Sequence, residues 1–137
     1  MKKLVLLFAI ILMTGFAFGQ TMQKGNLVET HVLTVTLQPG KTMDHFTKFF
    51  KAKYVTTFEK NHPGWKIYLV KGVKGDTKDS FGLLYIIKSQ KEKEKYYNAD
   101  GSDSKLGKST AEKMKQVEED MLKVGSMKTT YTSWVLL

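Results

Sequence analysis

The spacing between apolar residues switches along this chain between two and three-to-four, and the order of those periods leaves few architectures open. Residues 30–37, THVLTVTL, alternate strictly and are rich in β-branched side chains, which predicts a strand. Over 42–60 the period lengthens. Met43, Phe46, Phe49, Phe50, Tyr54 and Phe58 recur three or four residues apart, the stripe of an amphipathic helix, with Thr42 placed as its N-cap. Residues 65–71 and 81–88 return to strand character, joined by a polar loop suited to a hairpin. Ser89-Gln90-Lys91-Glu92 opens a short charged helix in a capping-box pattern, and NADGSDS (98–104) interrupts it. Ser109-Thr110-Ala111-Glu112 repeats that pattern and predicts a further helix with the stripe Ala111, Met114, Val117, Met121 and Val124, stopped by Gly125. Residues 129–137, TTYTSWVLL, close the chain as a strand. The resulting order is β-α-β-β-α-β with an interrupted second helical region. It defines an α+β, ferredoxin-like domain: a four-stranded antiparallel sheet with both helices on one face.

An antiparallel sheet with one wet face should place polar residues at alternate positions. This one does not. Phe81, Leu83, Tyr85 and Ile87 point one way along the third strand, and Leu84 and Ile86 point the other. Trp65, Ile67 and Leu69 oppose Tyr68 and Val70, and Tyr131 and Val135 oppose Trp134 and Leu136. Two helices cover one side only, so the other side calls for a partner, most simply a second copy of the chain. Both parities are apolar, so the pattern does not choose which face the helices cover.

Residues 1–19 carry Lys2 and Lys3, an apolar run, then Ala17 and Gly19 at the positions of a small-residue cleavage site. That is the layout of a secretory signal peptide, and the run is shorter than the roughly 20 residues of a membrane-spanning helix. The expected product is exported, periplasmic or secreted, beginning at Gln20 with no stable membrane insertion after cleavage. Residues 20–29 read as a flexible leader and 30–137 as one domain. The chain has no cysteine, hence no disulfide in an oxidising compartment. Its formal net charge is +9, yet every basic residue is lysine. Without arginine the chain lacks the planar fork used for bidentate phosphate and guanine recognition, and its lysines are dispersed, so the charge reads as a solvated surface.

Several chemistries lack their parts. No G-x-S-x-G, nucleophilic cysteine or glycine-rich phosphate loop is present. NADGSDS puts glycine at the fourth position where a calcium loop needs it at the sixth. The RNA-recognition motif shares the β-α-β-β-α-β order, but Leu83 stands where a base-stacking aromatic belongs and the first strand has no aromatic, so no nucleic acid is expected. His62-Pro63-Gly64 reads as punctuation between helix and strand, its imidazole exposed and without a carboxylate or thiol at dyad spacing. His31 and His45 are the other imidazoles and the weak catalytic candidates. Neither belongs to an H-x-x-x-H motif or an acidic cluster, so no metal and no cofactor are expected. Trp65, Tyr68, Tyr85 and Trp134 are the expected lining of any pocket, with Met114 and Met121 closing it.

The Pro-Gly-aromatic turn within HPGW (62–65), set in this element order, resembles the dimeric α+β barrel superfamily, which includes antibiotic-biosynthesis-type and haem-degrading monooxygenases. The resemblance implies a homodimer whose two sheets close into a barrel, with a pocket between sheet and helices. Haem-degrading members use an asparagine on the first strand, a tryptophan on the third and a histidine on the second helix. Here the first strand offers Thr34 and Thr36, the third has Tyr85, and residues 109–124 hold no histidine. Three functions follow as expectations: a homodimer binding a small apolar ligand, a cofactor-independent or haem-modifying oxygenase, and a protein interaction module.

Overall fold

The computed structural model describes residues 22–76 and 78–137; the expected signal peptide and cleavage point lie outside them. Four antiparallel strands, β1 (Leu27–Leu37), β2 (Trp65–Lys71), β3 (Phe81–Ile87) and β4 (Gly125–Val135), form one sheet in the order β2-β3-β1-β4. Among these residues the helices are α1 (Met43–Phe49), α2 (Val55–Asn61), α3 (Gln90–Lys93) and α4 (Lys105–Leu122), all packed on one face. This is the ferredoxin-like α+β arrangement predicted from the periods.

β1 begins earlier than its alternating core suggests. Leu27 and Glu29 are buried strand residues, so the expected leader is not a leader at its C-terminal end. The cause is pairing: Leu27 faces Ile87 on one side and Val135 on the other, and those two ladders fix the backbone. β4 is longer too, with Gly125 its first residue rather than only a helix stop.

Between α1 and α2 the backbone makes a π-helical turn, Phe50–Tyr54. Phe46, Phe50, Tyr54, Phe58 and His62 are spaced by four throughout and all are buried. A step of four residues rotates about 40° around an ideal α-helix, so four steps would swing His62 roughly 160° off the stripe. One wide turn takes up much of that drift. The five rings then stack in sequence, at centroid separations of 6.0, 4.8, 6.2 and 4.0 Å. At the start of the run, Thr42 and His45 form a reciprocal capping box.

α4 starts at Lys105, before the expected capping box, because the Ser104 hydroxyl accepts a hydrogen bond from Gly107 N at 3.0 Å. Its buried stripe is therefore Gly107, Thr110, Met114, Val117 and Met121, and Ala111 is exposed. Gly107 is required by packing: a Cβ there would overlap the Tyr96 carbonyl oxygen. The segment between α3 and α4 is not the loose loop its composition suggests. Asp100 accepts from Ser102 N and Oγ at 2.9 and 2.6 Å, and Tyr97 bridges Asp103.

Candidate functional site

Strand alternation carries Leu27, Glu29, His31 and Leu33 to the helix-covered face. The ladders then decide their neighbours. Glu29 sits between Tyr85 on β3 and Ser133 on β4, and His31 sits between Leu83 and Tyr131. The His31 ring stacks on Tyr131 at 5.1 Å and tilts against Tyr85 at 4.8 Å.

Glu29 is buried and anchored from three directions. Lys93 Nζ, reaching down from α3, pairs with Oε1. Ser133 Oγ donates to Oε1 at 2.9 Å, and His31 Nε2 stands 3.6 Å from Oε2. Burial pushes the Glu29 carboxyl up, but His31, Lys93 and Ser133 together more than offset it and hold the pKa at about 2. The group is therefore a fixed negative charge at every physiological pH.

The carboxylate and imidazole open into a cleft of about 480 Å³. Trp65, Phe58, Tyr54 and Tyr85 form its apolar wall, Tyr131 stands at its side, and residues of α3 and the turn after it supply a polar rim. Burial raises the Tyr54 and Tyr85 hydroxyls far enough that both stay neutral phenols. Among the described residues, two nitrogens of cleft-lining side chains are buried without a hydrogen-bond partner: Trp65 Nε1 and His31 Nε2. The latter has only the carboxylate at 3.6 Å, too long for a good hydrogen bond. Buried polar groups are ordinarily satisfied, and Trp65 is only 5% exposed, so its unpaired donor marks a place where an acceptor would be favourable.

Of the expected pocket residues, Trp65, Tyr85 and His31 meet in the cleft, whereas Tyr68 and Trp134 do not. Register places Tyr68 beside Leu84 and Trp134 beside Val28, on the opposite, uncovered face. One aromatic set is thus divided by a single-residue difference in parity. His45 caps α1, its Nδ1 accepting from Thr42 N at 3.2 Å, and does not line the cleft. Met114 and Met121 pack in the core cluster instead of closing the cleft.

His62 is buried, contrary to its expected exposure. It stacks on Phe58, its Nδ1 lies 3.0 Å from the Phe58 carbonyl oxygen, and burial lowers its pKa. It ends α2 as punctuation should, but from inside the core. Glu29 escaped the sequence reading because it preceded the clearest part of the alternation. Continuing the period of two backwards from Leu33 through His31 would have found it.

No protein-family model matches the chain, and no curated protein sequence does. Among solved structures it is similar to SnoaB, a cofactor-independent oxygenase from Streptomyces nogalater, at 10% identity and a TM-score of 0.39, over 79% of this chain and 91% of that one. The fold assignment rests on the strand order and the placement of the helices themselves.

Proposed function

We propose that this is an exported, homodimeric α+β barrel protein that binds a small ligand in the cleft between sheet and helices. The ligand has largely apolar ring faces and at least one acceptor oxygen. The observation that carries the reading is the unpaired Trp65 Nε1, buried in the aromatic wall of a cleft whose volume lies in the range of small-molecule sites. A flat ring system would lie face-on to one of Trp65, Tyr85 and Phe58, whose ring planes cross at 63–86°, and edge-on to the others, and an oxygen on its rim would take the orphaned indole proton. The polar floor modifies the expectation of an all-apolar guest: the buried Glu29 carboxylate, paired with Lys93, lies beneath the ligand with His31 beside it.

The second copy is supported by the uncovered face. Tyr68, Val70 and Val32 are exposed there, with Leu84 and Ile86 between them, and Lys66 is drawn round the sheet edge to Glu59 at 2.5 Å. Export rests on the pattern of residues 1–19.

Titration of the protein with 2-tetralone, a two-ring ketone, tests the ligand reading. The Trp65 indole N–H resonance is expected to move while that of Trp134 stays, with Trp134→Phe fixing the assignment. Two unmoved indoles at millimolar ketone overturn it. Light scattering tests the dimer: the native chain should run at twice its monomer mass and Leu84→Lys as a monomer, whereas a monomeric native chain at micromolar concentration removes the second copy.

A further inference from the structure

We infer that Glu29 and His31 are a proton-transfer pair, and that the cleft catalyses enolisation of a bound carbonyl compound. The inference rests on the ligand reading above and adds chemistry to it. Glu29 Oε2 faces His31 Nε2 at 3.6 Å, and the carboxylate is held in place by Lys93 from α3 and Ser133 from β4. A carboxylate facing Nε2 favours the tautomer with the proton on that nitrogen, which leaves Nδ1 with its lone pair. The ring cannot swing freely, because Tyr131 stacks on one side and Tyr85 leans on the other. An oriented, unpaired imidazole backed by a buried anion is the arrangement a general base requires.

The aromatic wall beside His31 supplies the complementary groups. Removing a proton from carbon next to a carbonyl moves negative charge onto the carbonyl oxygen. A buried, unpaired Trp65 N–H and the neutral Tyr85 phenol are donors suited to that oxygen, and they lie in a wall from which water is largely withdrawn.

The step balances without any co-reactant. The Cα–H bond breaks, its proton goes to His31 Nδ1, and its electron pair forms the enolate C=C as the carbonyl π electrons move to oxygen. The imidazolium is stabilised by Glu29. The proton then returns to the same carbon, giving exchange with solvent, or to a conjugated carbon, giving an isomer. Nothing is oxidised or reduced.

Glu29 is a positioning residue here and His31 the catalytic one. The charged and titratable groups facing His31 are Glu29 on its own strand, Tyr85 from β3 and Tyr131 from β4, with Lys93 from α3 acting through Glu29. General-base catalysis by a positioned side chain is typically worth about 100-fold or more in rate.

The test is proton–deuterium exchange at the α-carbon of 2-tetralone, followed by NMR in D2O with the full chain. The native protein is expected to exchange it faster than buffer of the same pH. His31→Gln should lose about 100-fold of that acceleration while still shifting the Trp65 indole resonance. His31→Ala should regain rate when free imidazole is added, a response that a structural role would not produce. Glu29→Gln should slow exchange and move its pH profile; Lys93→Met serves as the milder perturbation of the same carboxylate if Glu29→Gln does not fold. An indole that moves with exchange no faster than buffer overturns the proton-transfer pair and leaves the ligand reading standing. An indole that does not move overturns both.

Discussion

The two faces of the sheet are built from similar side chains and have opposite fates. On the covered face Ile67, Leu83 and Ile87 are sealed beneath the helices, Ile87 with no exposed surface at all. On the other, Tyr68 and Val70, from the same strand as Ile67, are 45% and 42% exposed. Residue type does not separate the two sets. Coverage does, and coverage belongs to the helices' side of the sheet. The same contrast separates the aromatics: Trp65 and Tyr85 became walls of a cleft, while Tyr68 and Trp134 remained on an open surface.

The contrast predicts a gradient of effects. Phe50→Ala, which truncates a π-turn side chain packed into the covered core, should destabilise by about 3–5 kcal/mol in a urea melt, the usual range for deleting a buried phenylalanine side chain. A loss below about 1 kcal/mol would mean the covered face is not the core.

Acid should act next. The Glu29 carboxyl has its pKa lowered from 4.5 to about 2, so between those values the unfolded chain binds the extra proton. The stability that Glu29 confers is full above 4.5 and lost as pH falls through 2, by up to about 3 kcal/mol. His62 works in the same direction from a higher pH. Its folded pKa lies below the ordinary 6.5, so its contribution is present above 6.5 and declines as pH falls through the lowered value. Melting curves from pH 8 to 2 should therefore show two stages of loss, and Glu29→Gln should flatten the more acidic one. A native profile that is flat between pH 4.5 and 2 would contradict the anchored carboxylate.

Gly107→Ala should cost about 1–3 kcal/mol, since α4 must lift off the Tyr96 carbonyl to admit a methyl group. Unchanged stability would show that the helix sits farther from that segment. The smallest effect belongs to the open face. Val70→Ala should change monomer stability by less than about 0.5 kcal/mol, yet weaken the dimer. Measured at two protein concentrations, it should make the melting temperature more sensitive to dilution. An equal loss at both concentrations would place Val70 in the folding core.

Much of the scaffold was legible because hydrophobic period reports burial directly. The strand at 65–71, the Thr42 cap and the overall element order were all local patterns. The candidate site was legible only in part. His31, Trp65 and Tyr85 were singled out as residues, but nothing local tied them together. Glu29 was lost in a stretch read as leader, and His62 was read as exposed because Pro63 and Gly64 beside it mark a turn. The π turn was hidden for a different reason: a repeat of four looks like an ordinary amphipathic helix until the chain must keep five rings on one face.

By itself, the sequence determined the period of each segment, hence the element types and their ferredoxin-like order, because side chains must alternate or spiral according to local backbone geometry. It could not choose a face of the sheet, since a period of two is symmetric when both parities are apolar. That choice, the meeting of Glu29 with His31, Lys93 and Ser133, and the stranding of the Trp65 indole proton came only from tertiary structure. Each depends on strand register and helix docking between residues far apart in the chain, and no short-range pattern encodes that distance.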